Sequence, residues 1–491
     1  MAGIGFELKK LFHRKGLVAM VRAYGYAGVI CTGPMLLGIL LQFGVLAVSG
    51  WWHVPRADQN LLVCMITYTL LASLVLTSFL SMPVTRFLAD MLFEHHEETI
   101  LPSFWGSTTL MLAVGAVLYA VFLLFSGATL MQGLLCLWLF LEMIVNWNAM
   151  SYLTAIKDYQ GIMWSFVAAV VVAFLSACAM MALGLPQVES LLAAVAFGYG
   201  VMMVWDVVLL HRYSRKLGKP VDVPRMAGPV PALALTGLLT TLGLFSHLVI
   251  TWCGPLGVHV KGLFYGAPYY DVPALLAFLT ILITTVNFVV SVEVNFYPKY
   301  RAYYALLNDG GTVKDIVVAE REMLAVLNRE LYYTALKQLF VTAAVISLEK
   351  MVLGVLPLGF NDGMHGYFRV LCVGYALYAV GNTVLMILLY FTDYFGAVCC
   401  AAIFAGSATV LTVISQFVPV ALMGFGFLLG ASAFLLAAVV RLAVFTDNLP
   451  YRVLGAQPIV ETEKRGWFTK LGEALDEFGE RLHGTFGRKE S

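Results

Sequence analysis

Charged side chains are scarce in this chain. Asp, Glu, Lys and Arg make up 12% of its 491 residues, whereas hydrophobic residues make up 60% and the mean hydropathy is +0.86. A water-soluble protein of this length could not bury so much apolar surface without exposing large hydrophobic patches. The composition therefore excludes a soluble globular protein and predicts an all-α protein that crosses a membrane many times.

Motifs that would indicate enzyme chemistry are also missing. The eight cysteines form neither a Cys-x-x-Cys motif nor a cluster with histidine, which argues against a disulfide framework and a zinc site. The sequence has no phosphate-binding Gly-Lys-Ser/Thr motif, no nucleophile elbow and no His-Glu-x-x-His motif. We therefore expect no enzymatic activity, no cofactor, no metal and no nucleic-acid partner.

Hydrophobic runs long enough to cross a bilayer predict about twelve transmembrane helices. They lie at 24–49, 61–82, 104–126, 130–155, 162–184, 190–210, 231–253, 273–295, 335–356, 368–391, 396–418 and 421–444. If the N-terminus is cytoplasmic, all Lys and Arg residues lie on the cytoplasmic side except Arg56, Lys261, Lys350 and Arg369. This bias predicts that both termini are cytoplasmic.

Two of these spans carry polar seams with a spacing of four residues, which places each seam on one face of a helix. The second span carries Ser73, Thr77, Ser81 and Thr85, and the eighth carries Asn287, Ser291 and Asn295. We interpret the two seams as facing each other across a translocation path. Two alternatives remain open: the hydroxyls bond the carbonyls of their own helix, or small residues let helices pack closely.

The fourth span contains an acidic residue, Glu142, with Asn146 on the same helical face. An ionisable group at membrane depth is costly, so we expect it to point inward and to contact a polar substrate or to bind a proton or cation. The alternative is a protonated glutamate that is hydrogen-bonded to a neighbouring helix. Asp206 lies nearer a cytoplasmic helix end, where a solvated or capping role is expected, and Glu349 at an outer end is expected to serve as an anchor.

Two further features suit a transporter. Tyr375, Tyr378 and Asn382 form an aromatic and amide seam on the tenth span, which fits stacking and hydrogen bonding to sugar rings, although ordinary packing is the alternative. In the first span, Gly33 and Pro34 predict a helix break, because proline removes a backbone hydrogen bond.

A basic, proline-containing stretch in the middle of the chain separates two sets of six spans. The resulting divisions are an amphipathic basic segment at 1–23, an N-lobe at 24–210, a cytoplasmic linker at 211–230, a C-lobe at 231–444 and a cytoplasmic tail with an amphipathic helix at 445–491. Within the C-lobe, the capping signal at Thr312 predicts a cytoplasmic amphipathic helix over 312–337.

A short sequence echo relates the two halves. The tetrapeptide Asp-Tyr-x-Gly begins at Asp158, after the fourth span, and again at Asp393, after the tenth. Because six spans separate the two copies, both have the same orientation. The echo predicts a parallel repeat about an axis along the membrane normal.

The twelve-span plan with polar seams on spans two and eight resembles the superfamily of multidrug, oligosaccharidyl-lipid and polysaccharide exporters. The opening residues Met1 to Leu11, the stretch Ala23 to Ile30 and the following Gly33-Pro34 are more particularly similar to the PelG family, the inner-membrane exporters of the Pel exopolysaccharide system. The likeness is strongest over the first 35 or so residues and extends along the chain as topology.

This resemblance implies a location in the bacterial inner membrane and passage of a growing, N-acetylgalactosamine-rich polymer into the periplasm. The partners it implies are a cytosolic glycosyltransferase, a membrane protein that senses cyclic di-GMP, and a scaffold protein, besides the polysaccharide and the lipid bilayer.

Three other functions stay open: a lipid-linked oligosaccharide transporter, an ion-coupled multidrug transporter, and a hub that docks a synthase to the membrane. A pyrophosphate headgroup should attract deep cations, yet every Lys and Arg is expected at or beyond a helix end, which argues against the first of these.

Overall fold

A computed structural model describes residues 38–156, 158–213, 230–308, 310–354 and 359–456 of the chain. The basic segment 1–23, the Gly33-Pro34 break, most of the linker and the amphipathic part of the tail lie outside the described residues. The predictions made for them therefore stay predictions.

The described residues are almost entirely helical. The helices are α1 Gly38–Trp51, α2 Arg56–Phe93, α3 Ile100–Phe125, α4 Leu130–Ile156, α5 Tyr159–Ala182, α6 Gln187–Tyr213, α7 Val230–Trp252, α8 Pro268–Phe278, α9 Leu282–Phe288, α10 Tyr297–Asn308, α11 Val313–Leu353, α12 Asp362–Tyr390, α13 Tyr394–Ser415, α14 Phe425–Thr446 and α15 Leu449–Ala456. Strands β1 Val258–Lys261 and β2 Phe264–Gly266 form an antiparallel hairpin between α7 and α8.

Within the described ranges, ten helices are long and apolar enough to cross a membrane. They account for ten of the expected spans, since α8 and α9 together form the eighth. Only Gly38–Trp51 of the first span is described, and it is shorter. Most of the expected ninth span falls within α11, which is not among these ten helices.

The helix that was expected to end at residue 337 continues without interruption to Leu353, through most of the expected ninth span. Its start agrees with the capping signal, since the backbone N–H of Asp315 donates to the Thr312 hydroxyl, 3.3 Å away. No proline or glycine occurs between Val313 and Leu353, so nothing in the sequence breaks the helix.

The eighth span departs from a single α-helix. A 3-10 turn at Leu279–Ile281 separates α8 from α9, and a π-helix at Val289–Phe296 separates α9 from α10. A π turn holds more residues than an α turn, so the four-residue spacing does not keep one face through this segment. Asn287 and Ser291 are accordingly buried, whereas Asn295 is exposed.

The buried side chains form two hydrophobic cores. The first core draws on α1 to α6 and also includes Phe264 of β2. The second core draws on α7 to α14 and on Leu449. Between the two helix groups, α2 packs along α7, and the carbonyl of Ser78 lies where a side chain on Gly237 would stand. Glycine at position 237 thus permits a close approach of two backbones from different cores.

Candidate translocation site

Glu142 lies inside the first core, between α4 and α6. It is 3% exposed, and its Oε2 has no hydrogen-bond partner among the described residues. A Cβ built on Gly200 would stand 2.7 Å from Glu142 Oε1, so glycine leaves room for the carboxyl group. Asn146 donates from Nδ2 to the Tyr199 carbonyl, 3.1 Å away, while its Oδ1 finds no described partner. The predicted pair therefore faces α6 and leaves two buried acceptors unused.

The hydroxyls of the α2 seam are mostly satisfied by their own helix. Thr77 donates to the Ser73 carbonyl at 2.8 Å, and Thr85 donates to the Ser81 carbonyl at 2.7 Å. Ser73 also accepts from Trp147 Nε1 of α4 at 3.0 Å. Ser81 and Thr85 are partly exposed, whereas Ser73 and Thr77 are buried. The geometry of Thr77 and Thr85 thus matches the alternative interpretation, bonding to the preceding turn.

The polar seam near Asn287 packs against α11. Asn287 Nδ2 donates to the Thr334 hydroxyl at 2.6 Å and to the Ser291 hydroxyl at 3.2 Å. Its Oδ1 accepts from Lys337 Nζ at 2.6 Å. One turn away, the Thr284 hydroxyl donates to Gln338 of α11. In this structure α2 packs on α7, and the Asn287 seam packs on α11.

The position of Lys337 differs from what the sequence analysis expected of cations. It lies in the middle of α11 and bonds Asn287, so the expectation that every cation lies at or beyond a helix end is wrong. The expectation failed because the ninth span was expected to begin at residue 335, whereas the helix begins at Val313. A lysine beside the eighth span removes the objection to a phosphate-bearing substrate.

The aromatic seam of α12 lies inside the second core. The Tyr375 hydroxyl is 3.2 Å from Nε2 of the fully buried His247, whose Nδ1 is 2.9 Å from the Tyr270 hydroxyl. Tyr378 is buried as well and stacks on Phe404. Asn382 is partly exposed. Sequence reasoning missed His247, because one histidine in an apolar span gives no spacing pattern.

Glu349 is not a surface anchor. It is 2% exposed, and its Oε1 accepts from Arg369 Nε of α12 at 2.6 Å and lies 3.5 Å from His365 Nδ1. The ion pair joins α11 to α12, the two helices that border the chain segment 354–361. No sequence pattern indicates this contact, because the partners lie on different helices about twenty residues apart.

The hairpin between α7 and α8 reaches across to the first helix group. The backbone N–H of Leu263 donates to the Ser126 carbonyl at 3.0 Å, and that of Tyr265 donates to the Tyr68 hydroxyl at 3.2 Å. Phe264, which lies between them, is fully buried in the first core.

Two glycines allow the hairpin to approach the first helix group closely. Gly262 and Gly127 both have positive φ angles, and a Cβ on Gly127 would stand 3.1 Å from the Gly262 Cα. Beside them, Lys261 Nζ donates to Gln132 Oε1 at 3.3 Å. The hairpin therefore ties the two helix groups together at one end of the molecule.

The repeated Asp-Tyr-x-Gly motif has a capping role in both copies. Asp158 accepts from the backbone N–H of Gly161 at 2.9 Å and caps α5, and Asp393 accepts from that of Gly396 at 3.2 Å and caps α13. Near the first cap, Asp206 is fully buried, and neither of its carboxyl oxygens has a hydrogen-bond partner among the described residues. The expectation of a solvated or capping Asp206 is therefore wrong.

In the described part of the chain, no three or more His, Cys, Asp and Glu side chains come together in a way that could hold a metal ion. The polar groups of the candidate site are amides, hydroxyls, tyrosines and the acid Glu142, with Lys337 beside Asn287. Such groups suit binding of neutral, hydroxyl-rich molecules and of single cations or protons.

The sequence model of the PelG family of exopolysaccharide exporters (EPS-E) matches residues 1–454. The chain belongs to the PelG family. This confirms the resemblance drawn from the opening residues and makes the chain a membrane transport protein of exopolysaccharide export. Among curated proteins, none matches this PelG-family chain.

Solved structures similar to this PelG-family chain are transporters of the multidrug resistance MATE family. An outward-facing MATE transporter of the MOP superfamily has a TM-score of 0.60 at 13% identity, covering 91% of this chain and 99% of that one. A point mutant of VcmN, a Vibrio cholerae MATE transporter, has a TM-score of 0.58 at 11% identity, covering 88% and 98%. At such low identity the likeness establishes a MATE-like fold alone.

Proposed function

We propose that this PelG-family protein exports a growing, N-acetylgalactosamine-rich, Pel-like polysaccharide from the cytoplasm to the periplasm of a bacterium, across the inner membrane. It works within a synthase complex with a cytosolic glycosyltransferase, a cyclic-di-GMP-sensing membrane protein and a scaffold protein. Its twelve helices form an N-lobe and a C-lobe, related by a parallel repeat, and both termini are cytoplasmic.

The packing of helices supports the repeat. In the first group α3 packs on α4, α4 on α6, and α5 on α6; in the second group α11 packs on α12, α12 on α14, and α13 on α14. Small residues bring the last pair together in both groups. Gly198 of α6 lies against Ala173, and Gly430 of α14 lies against Ala408.

The proposed path runs between the lobes. The groups assigned to it are Thr77, Ser81, Thr85, Glu142, Asn146, Asn287, Ser291, Asn295, Tyr375, Tyr378 and Asn382. Ser81, Thr85, Asn295 and Asn382 are at least partly exposed and suit direct contact with sugar hydroxyls. The buried members suit a different role, which is to hold the helices in place or, for Glu142, to carry a proton or cation.

The observation that carries the proposal is the family match over residues 1–454, and the hairpin that ties the lobes together gives the proposal a test. A polymer that passes between the lobes needs them to separate, yet Phe264 is inserted in the first core and Gly262 lies against Gly127. Under the proposed topology this tie is on the periplasmic side, where the polymer leaves. Export would therefore require the hairpin to leave the N-lobe.

A disulfide can test this requirement with a native cysteine. A Cβ on Gly266 would stand 3.1 Å from Cys64 Sγ of α2, which is within reach of a disulfide. We expect Gly266→Cys to crosslink α2 to the hairpin, best made in a Cys253→Ser background because Cys253 is exposed. Secreted polymer should fall in proportion to the crosslinked fraction, and reduction of the disulfide should restore it.

The matched control adds Cys64→Ala to the same protein, which keeps the new cysteine and removes its partner. That variant should export normally under oxidising conditions. Undiminished export by fully crosslinked protein would overturn the proposal that the lobes separate at this hairpin.

A second candidate is transport of a lipid-linked oligosaccharide, with ion-coupled multidrug transport as a further member of the same class. Lys337 beside Asn287 favours the first, since a lysine can bind a pyrophosphate headgroup. Binding of a lipid-linked oligosaccharide to the purified wild-type protein, lost in Lys337→Gln and kept in Lys337→Arg, would support it over polymer export.

A further inference from the structure

A stack of aromatic rings crosses the boundary between the two helix groups. Tyr68 of α2 lies flat against Trp252, the last residue of α7, with ring centroids 4.8 Å apart and an angle of 17° between the planes. Tyr68 also stacks on Phe122 of α3, at 5.8 Å and 19°, and packs against both hydrophobic cores. Trp252 of the second group thus meets a ring of the first group face to face.

The indole ring of Trp252 is held in a fixed orientation by its own helix group. Its Nε1 donates to both carboxyl oxygens of Asp271, each 3.0 Å away, in the first turn of α8. Asp271 also accepts from the backbone N–H of Ala267 at 2.9 Å. Trp252 is only 4% exposed, so nearly all of its surface is covered in this structure. The plane of the indole is therefore set without any help from Tyr68.

The hairpin contacts this stack from the second group. The backbone N–H of Tyr265 donates to the Tyr68 hydroxyl at 3.2 Å, and the Phe264 ring meets the Tyr68 ring edge to face at 5.3 Å. The export proposed above requires the hairpin to leave the first helix group. Since Tyr68 and Trp252 belong to the two groups that then separate, this motion uncovers the Trp252 face beside Asp271.

A flat aromatic face next to a carboxylate suits a sugar ring. The C–H groups of a pyranose pack on an indole face, and its hydroxyls donate to carboxylate oxygens. An ionised carboxylate has about four acceptor positions, so the bonds from Trp252 and Ala267 leave capacity for a sugar hydroxyl. The negative charge of Asp271 also disfavours an anionic sugar and accepts a neutral or cationic one.

We propose that Trp252 and Asp271 form a subsite for one neutral or cationic pyranose ring of the exported polysaccharide, and that Tyr68 takes the place of the sugar in this structure. The subsite rests on the proposed function, because the two groups have to separate before a sugar can enter. Tyr68 and the sugar compete for one face of the indole. The subsite is therefore closed when the hairpin is seated and open when the hairpin has left.

The test is the binding of N-acetylgalactosamine oligosaccharides to the purified full-length protein in detergent, measured by calorimetry. Trp252→Leu removes the aromatic face and should weaken binding about fivefold. Tyr68→Ala removes the competitor and should strengthen binding by a similar factor. The control is Trp164→Leu, which changes a tryptophan that is 56% exposed on α5 and should leave binding unchanged.

The opposite signs separate a subsite from simple packing. If the stack only holds the helix groups together, Trp252→Leu and Tyr68→Ala each remove one half of the same contact and should act alike. Binding that is unchanged in Trp252→Leu, that changes in the same direction in both variants, or that is absent from the wild type would overturn the subsite. Asp271→Asn, which should weaken binding, replaces Trp252→Leu if that variant does not fold.

The disulfide between Cys64 and Gly266→Cys links this test to the proposed function. Crosslinked protein should bind the oligosaccharide more weakly than the same protein after reduction, because the seated hairpin keeps Tyr68 on Trp252. Polymer export is measured separately in cells. Undiminished export by crosslinked protein would overturn the separation of the lobes, whereas binding that is indifferent to Trp252 would overturn the subsite alone.

Discussion

Glu142 in the first helix group and Glu349 in the second are both deeply buried, with opposite surroundings. Glu349 is 2% exposed and pairs with the Arg369 guanidinium at 2.6 Å, whereas Glu142 is 3% exposed and forms no ion pair with a described residue. A paired buried charge holds two helices in register but becomes costly when one partner is lost. A buried acid without a cationic partner does not stabilise the fold through an ion pair, so its presence needs another explanation.

The contrast separates two kinds of polar residue in the membrane. Side chains that bond across helices fix the packing of α11 on its neighbours. Side chains that bond nothing, or only their own helix, are free to serve a substrate or a cation. Variants whose stability and export are measured separately can test this division.

The largest loss of stability is expected for Arg369→Gln. The change leaves the Glu349 carboxylate buried without its main partner, so the Tm of the purified protein should fall by on the order of 5 °C. The neighbouring exposed Lys350, changed to Gln, is the control and should have little effect. Adding Glu349→Gln to Arg369→Gln should restore part of the loss, and equal Tm values for all these proteins would contradict a stabilising pair.

A smaller loss is expected for Asn287→Leu. It removes the bonds from Asn287 to Thr334, Ser291 and Lys337 and should lower the free energy of unfolding by about 1–2 kcal/mol. The control is Thr77→Val, whose hydroxyl bonds only its own helix, with an expected change within about 0.5 kcal/mol. Unfolding of the purified variants in detergent measures both changes in free energy. A greater loss of unfolding free energy for Thr77→Val than for Asn287→Leu would contradict the division between side chains that bond across helices and those that bond only their own helix.

The smallest effect on stability, with a large effect on export, is expected for Glu142→Gln. The neutral amide has nearly the same shape and keeps an oxygen that can accept from Trp138, so the unfolding free energy should change by less than about 0.5 kcal/mol. Polymer export should be lost if this acid carries a proton or cation.

The control for that measurement is Glu189→Gln, at the start of α6, where the acid accepts from Gln132 at 2.9 Å. This variant should export normally. Normal export by Glu142→Gln, at a normal membrane level, would assign Glu142 to packing alone.

Hydropathy and charge bias were enough to predict most of the helices and the class of the protein, because bilayer thickness imposes long apolar runs. The family could be identified from the opening residues. The capping of α11 at Thr312 followed from local sequence alone.

Features set by distant contacts could not be predicted. The π-helix that turns Asn295 outward, the continuity of α11 and the partners of Glu349 depend on packing between helices. The hairpin escaped notice because its strands are only four and three residues long. Asp206 was misjudged because a position near a helix end suggests exposure, while the packing of α5 on α6 buries it.

The uninterrupted α11 has a mechanical consequence. Its 41 residues span about 60 Å at 1.5 Å per residue, roughly twice the hydrocarbon thickness of a bilayer. The Val313 end packs on α10, where Lys299 pairs with Glu322 at 2.7 Å, and the Leu353 end is joined to α12 through Glu349. With no hinge between these ends, a tilt imposed on one is delivered to the other. As a helix without a hinge, α11 would transmit a displacement of its Val313 end to the helices of the second core.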